Sequence, residues 1–300
     1  MLIATRFTEL FGCTHPVQQA GMGGIATPDL AIAVAGAGGF GMLSGTGGHA
    51  DLLAQLDAVP AGSPIGVNFL LPFLDRAALD EAASRLPFVE FFWGSPDPDL
   101  VRITHDGGAR AGWQIGSADE ARAAQDAGCD VVVAQGVEAG GHVRGVVGLL
   151  PLLDEVRDVV DVPIVAAGGI GTGRAMAAAL MAGADAVRVG TRFIAADEST
   201  AHPAYVDALI GATAADTVLT TAFGEGWPDA PHRVLRSAVE AGKALGPRQS
   251  WSPEWPTSGT VGPVAARALY AGQSVGAVQA RQTAAEIVAE LVEEAAACLG

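Results

Sequence analysis

Short apolar runs rich in β-branched or aromatic residues recur along the chain and alternate with longer Ala-rich stretches of helical character. The runs centre near Gln18, Gly41, Ile65, Val89, Ala111, Val131, Ile164 and Ala186, at successive intervals of 23, 24, 24, 22, 20, 33 and 22 residues. Each interval has room for a strand, a turn, a helix of about three turns and a second turn, which is a βα repeat and not an array of hairpins. The clearest unit runs from Ala111 to Gln135. Trp113 and Ile115 close a strand, Ser117 is placed to cap a helix with Glu120 three residues on, and Gly128 stops that helix before Val131-Val132-Val133-Ala134. The same grammar returns at Pro163 to Ala166, with a helix beginning at Thr172 and ending at Gly183 before Ala186 to Val189.

Strands apolar on both faces belong to a parallel sheet covered by helices. Eight of them predict an α/β fold, a closed (β/α)8 TIM barrel. The open alternative, a doubly wound sheet, normally carries a glycine fingerprint after its first strand. Here the first strand is followed by Gly21-Met22-Gly23-Gly24, which does not match G-x-G-x-x-G. After about Gly211 the rhythm fails. Gly224, Gly226, Trp227, Pro228 and Pro231, then the stretch from Pro247 to Pro263, read as irregular structure joining helices, and a last helix is expected from roughly Val278 to Cys298. The expected organisation is a barrel over residues 1–211 and a C-terminal helical segment, 212–300, packed on it.

Composition narrows the partners. The chain has 300 residues, half of them hydrophobic and 17% charged, with 17 Lys and Arg against 33 Asp and Glu, a formal charge of −16. Such an excess repels a phosphate backbone, and no basic run interrupts it, so nucleic acid is not an expected partner. Cys13, Cys129 and Cys298 lie far apart with no zinc-like spacing, so no metal site is expected and a reducing, cytoplasmic setting fits. Met1 to Cys13 carries Arg6 and Glu9 and lacks the continuous apolar core of a signal peptide. Leu30 to Gly48 is uncharged, but seven of its residues are glycine. It reads as a buried helix followed by a buried strand and not as a membrane span.

On a barrel the chemistry is expected at the C-terminal ends of the strands. The unusual residues lie there: Gly66-Val67-Asn68-Phe69 after the third run, Gln135 to His142 after the sixth, Ala167 to Gly173 after the seventh and Gly190-Thr191-Arg192 after the eighth. The last two turns suggest an anion cradle. Glycines let backbone N–H groups converge, the helix opening at Thr172 adds its dipole, and Arg188 or Arg192 are candidate helpers. Alternatively, these glycines only cap helices and make turns. His142 follows Gly140-Gly141, and an imidazole with a pKa of about 6.5 suits proton transfer near neutrality. Glu138, four residues earlier, either orients it or is a solvated acid. The other histidines, His15, His49, His105, His202 and His232, have no comparable setting. Lys243, the one lysine, lies beyond the barrel, which argues against Schiff-base chemistry.

At these residues the sequence resembles the flavin-dependent nitronate monooxygenases, formerly 2-nitropropane dioxygenases. The matching stretches are Gln19 to Gly24, Gly66-Val67-Asn68, Ala134 to His142, Ala166 to Ile170 and Val189 to Phe193; Tyr270-Ala271-Gly272-Gln273-Ser274 also looks like the family's C-terminal segment. The resemblance implies a barrel that holds FMN noncovalently. By carry-over, Met22 and Asn68 lie against the isoalloxazine, Gln135 and Gly140 contact the cofactor, Gly168, Gly169, Gly190 and Thr191 hold its phosphate, and His142 is the catalytic base. Two departures bear on the substrate pocket: Gly21 stands where the family often has Pro, and His142 is followed by Val143-Arg144-Gly145 and not by a tight His-x-Gly. The implied reaction is oxidation of an alkyl nitronate, or of a nitroalkane after His142 removes its α-proton, by O2 to a carbonyl compound and nitrite. A homo-oligomer is compatible with the sequence. The nearest rival is an NAD(P)H-dependent, FMN-containing enoyl-ACP reductase, for which Arg102, Arg110 and Arg144 are a candidate basic patch; a flavin-binding protein without turnover is a third reading.

Overall fold

The computed structural model describes residues 3–246 and 251–300. Met1 and Leu2 of the N-terminal stretch, and residues 247–250 of the Pro247 to Pro263 stretch, lie outside the described residues.

Eight parallel strands are hydrogen-bonded in chain order, β1 (Val17–Gln19), β2 (Gly41–Ser44), β3 (Ile65–Leu70), β4 (Phe88–Phe92), β5 (Arg110–Ile115) and β6 (Val131–Gln135), then, past a two-residue strand β7 (Gly141–His142) outside the sheet, β8 (Ile164–Ala167) and β9 (Ala186–Val189). β9 pairs with β1. The ring closes where Phe40 donates its N–H to Val17 O at 2.8 Å and accepts from Gln19 N at 2.9 Å. The eight predicted strands are all present, in a (β/α)8 barrel.

The helices are α1 (Arg6–Phe11), α2 (Pro28–Gly36), α3 (Gly48–Ala58), α4 (Arg76–Arg85), α5 (Pro98–Gly107), α6 (Ala118–Asp126), α7 (Leu149–Arg157), α8 (Gly173–Met181), α9 (Thr191–Ile194), α10 (Pro203–Ile210), α11 (Arg236–Ala244) and α12 (Ala284–Leu299). Caps read from the sequence form as expected: Ser117 Oγ accepts from Glu120 N, and Thr172 Oγ1 from Ala175 N. The uncharged stretch from Leu30 to Gly48 divides between α2, β2 and the start of α3. No helix among the described residues is long and apolar enough to cross a membrane.

Side chains alternate across each strand, which sorts the core into two regions. Outward residues such as Val67, Val89, Phe91, Trp113 and Val132 pack against the helices. Inward residues Phe40, Met42, Phe88, Val131 and Val165 fill the lower barrel, and α1 stoppers that end with Phe7 and Phe11 against Phe40 and Phe88. Above this apolar layer the inward positions turn polar, with Gln18, Asn68, Glu90, Gln114 and Arg188 all buried.

Beyond Gly211 the chain adds more than helices. β10 (Thr217–Thr220) and β11 (His232–Leu235) pair antiparallel, and β11 also pairs with β7, setting His232 opposite His142. The last helix, α12, packs on α8 and α2, with Ile287, Val288 and Leu291 on its buried face.

Candidate functional site

A cavity of about 900 Å³ opens at the C-terminal ends of the barrel strands. Met22, Asn68, Gln135, Gly140, His142, Gly168, Gly169, Gly190 and Thr191, the nine residues singled out in the sequence, all line it. Most reach it from the last residue of a barrel strand or the turn that follows; Asn68 points in from within β3 and His142 from β7.

The turn after β8 holds Gly168 at φ +109° and Gly169 at φ +70°, conformations that L side chains avoid. A Cβ on Gly168 would also stand 3.0 Å from Gly136 O and 3.1 Å from Ala139 N, so the turns after β8 and β6 pack directly together. The turn after β9 lies at the same cavity. Thr191 Oγ1 accepts from Gly272 N at 3.0 Å, which leaves its hydroxyl hydrogen to donate. Neither candidate arginine is free to help these turns. Arg192 donates to Gly171 O and to Gln282 and pairs with Glu290, while Arg188 lines the cavity but is bound to Glu90. Gly140 owes its missing side chain to the chain itself: a Cβ there would meet Gly272 N at 2.5 Å and Ala271 C at 2.7 Å.

His142 sits on β7 in a wall of rings. Trp227 lies 4.2 Å away, nearly parallel at 31°, with His232 at 5.3 Å, Trp93 at 5.6 Å and Tyr270 at 5.9 Å. Burial, with a smaller contribution from His232, lowers the His142 imidazole from its usual value near 6.5 to about 3. The structure therefore departs from the expectation of a base poised near neutrality: the ring is neutral at pH 7 and weakly basic. Glu138 does not orient it. Both carboxylate oxygens accept from Leu149 N, at 3.0 and 3.1 Å, so Glu138 caps α7.

Several site residues carry no signal in the periodicity. Trp93 adopts φ +71°, a rare state for a bulky residue, and stacks its edge on Trp227 at 4.8 Å. His232 is fully buried; Phe223 N donates to its Nε2 at 3.2 Å, so Nδ1 carries the hydrogen and donates to Ala230 O at 2.9 Å. It thereby ties together both ends of the segment bearing Trp227. Its position next to a proline hid this role. Tyr270, hydrogen-bonded through its hydroxyl to Pro253 O at 2.8 Å, belongs to a stretch the resemblance did mark.

A family model described as nitronate monooxygenase matches residues 4–84 and 72–245. The nitronate monooxygenase of Pseudomonas aeruginosa is 36% identical over 290 residues, covering 79% of this chain and 82% of that one. The (3aS,4S,5R,7aS)-5-hydroxy-7a-methyl-1-oxo-octahydro-1H-indene-4-carboxyl-CoA dehydrogenase of Mycobacterium tuberculosis is 38% identical over 252 residues, covering 80% and 68%. Among solved structures, FabK from Thermotoga maritima matches with a TM-score of 0.84 at 31% identity, covering 99% of this chain and 97% of that one. With its barrel, its cavity-lining turns and these likenesses, the chain belongs to the nitronate monooxygenase family and is a flavin-dependent oxidoreductase acting on a small molecule.

Proposed function

We propose that the protein holds FMN and oxidises alkyl nitronates with O2, releasing a carbonyl compound and nitrite. The observation that carries this reading is the meeting, in one cavity, of two glycine turns rich in backbone N–H donors with a neutral imidazole set in an apolar wall. The residues present fit the cofactor. Gln135 donates Nε2 to His142 O at 3.0 Å, and its Oε1 is left buried with no protein partner among the described residues, an acceptor suited to a ligand donor. A Cβ on Gly141, also in the lining, would meet nothing within 4 Å. Gly168, Gly169, Gly190 and Thr191 would hold the phosphate, as backbone donors beside the opening of α8, and Met22, Asn68, Gln135 and Gly140 would border the rest of the group. Bound FMN would supply the electron-transfer chemistry.

The protein's own part is binding and orientation. A nitronate arrives already deprotonated and needs no strong base. The neutral His142, whose ring nitrogens have no protein partner among the described residues, is suited to donate one hydrogen bond to the nitronate oxygen. Trp93 and Trp227 set apolar ring surface against His142, which would strengthen that contact. A neutral nitroalkane would be a poorer substrate, since burial has weakened the base that must take its α-proton.

The rival carrier-protein reading loses its basic patch. Arg102 pairs with Asp99 and Asp106, Arg110 with Asp130, and Arg144 with Glu120. Likeness to FabK over nearly the whole chain keeps a pyridine-nucleotide-dependent reduction as the second reading. Purified protein should be yellow, release FMN on denaturation, and form nitrite from propionate 3-nitronate in air without NADH. Anaerobic mixing with NADH discriminates: rapid bleaching of the flavin with no nitrite formation in air would transfer the assignment to the reductase.

A further inference from the structure

The floor of the cavity holds a buried ion pair that neither the phosphate turns nor His142 requires. Arg188, inward on β9, is 6% exposed and lines the cavity; Glu90, inward on β4, is fully buried. The guanidinium pairs with both carboxylate oxygens of Glu90 through Nη1 and Nη2, and donates from Nε to Gln18 Oε1 at 2.8 Å and from Nη1 to Gln114 Oε1 at 2.9 Å. Glu90 Oε1 in turn accepts from Asn68 Nδ2 at 2.8 Å.

A carboxamide has an oxygen end and a nitrogen end of nearly the same shape, and a half-turn exchanges an acceptor for a donor. Here the exchange is forbidden. A guanidinium only donates, so Gln114 must give it Oε1; a carboxylate only accepts, so Asn68 must give it Nδ2. The atoms left over are Asn68 Oδ1 and Gln114 Nε2. Neither has a protein partner among the described residues, and both residues are 6% exposed and line the cavity. Gln135 Oε1, fixed by the bond its Nε2 donates to His142 O, adds a third oriented group that is buried without a partner among the described residues. Two charges of opposite sign are an expensive way to fill a barrel when apolar side chains pack as well, which marks the pair as a device for specificity.

We propose that Arg188 and Glu90 are positioning residues that lock the polarity of the cavity floor, so that Gln114 presents a donor and Asn68 an acceptor to the polar edge of the flavin ring. The proposal rests on the FMN reading above. Gln114 then joins the cofactor-binding residues, and Arg188 and Glu90 act through it and through Asn68.

Gln114→Glu tests the lock directly. The carboxylate keeps an oxygen for Arg188 but turns an oxygen, in place of NH2, toward the ligand. The dissociation constant for FMN, followed by flavin fluorescence, should rise about tenfold, the loss of one hydrogen bond and its replacement by two facing acceptors. A purely structural role for Gln114 leaves that constant unchanged. Glu90→Gln and Arg188→Gln should move the midpoint potential of the bound flavin in opposite directions: up when the cation is left uncompensated, because reduction adds negative charge to the ring, and down when the carboxylate is left alone. The double variant, which removes both charges, should fold, keep a potential near that of the wild type, and bind FMN more weakly because its amides are free to turn over. Should the single variants not fold, Gln114→Glu and the double variant decide the matter. Unchanged FMN affinity in Gln114→Glu, or equal shifts of potential in the same direction, would overturn the lock. A wild-type protein that binds no flavin overturns both the lock and the FMN reading, whereas wild-type FMN binding beside an unaltered Gln114→Glu overturns the lock alone.

Discussion

The two rims of the cavity are built in different ways. On one side, the turns after β8 and β9 each belong to a single βα unit, and their features are local: positive φ at Gly168 and Gly169, a Thr172 cap, a helix opening beside them. On the other side, the wall around His142 is assembled from Trp93 after β4, Trp227 between β10 and β11, His232 on β11 and Tyr270 after α11. The local rim has the form expected of a barrel's anion turn, the role proposed for it above. The assembled rim desolvates His142, and under the function proposed above it would govern what reaches the ring.

Removing the imidazole probes the assembled rim most severely. His142→Ala should retain FMN while kcat/KM for a neutral nitroalkane falls by about 10²-fold or more, the scale of lost proton transfer. Nitrite release from a nitronate should fall less, since no carbon–hydrogen bond has to break. Equal losses on both substrates would assign His142 to substrate positioning only.

Damage to the local rim should read out in cofactor content. Gly168→Ala forces an L residue to φ +109° against Gly136 O, a strain of about 1–3 kcal/mol, and the flavin-to-protein ratio on purification should drop several-fold with His142 chemistry otherwise intact. Trp227→Ala should act on the other side. With the stacked ring gone, His142 is rehydrated, its pKa rises from about 3 toward 6.5, and kcat/KM gains an inflection in that interval that the wild type lacks above pH 5.

The smaller effects concern stability. Burial lowers both His142 and His232, so between the ordinary histidine value near 6.5 and their lower folded values the unfolded chain binds more protons than the folded one. Stability therefore declines as pH falls from about 6.5, and the melting temperature at pH 5 should lie below that at pH 7. Thr172→Ala removes the cap of α8 and should cost about 1 kcal/mol in denaturant unfolding.

Legibility in the sequence followed the same division. The strand centres, the caps at Ser117 and Thr172 and the glycine turns were readable because each depends on neighbours within one unit. The 33-residue interval between Val131 and Ile164 concealed β7, an excursion too short to show alternation, whose partner β11 lies about ninety residues on. His232 looked like a loop residue after Pro231, and only the pairing of β11 with β7 brings it to His142. Arg188 or Arg192 read as a candidate helper of the anion cradle; the carboxylates that occupy them, Glu90 and Glu290, come from distant elements.

The chain alone determined the barrel and marked residues at its strand ends that border one cavity, because βα periodicity and turn chemistry act over a few neighbours and leave their marks in order. Only the folded molecule decided the charge of His142, the partners of Arg188 and the aromatic wall. Those depend on desolvation and on which distant side chains meet, and no spacing along a chain encodes a distance across a barrel.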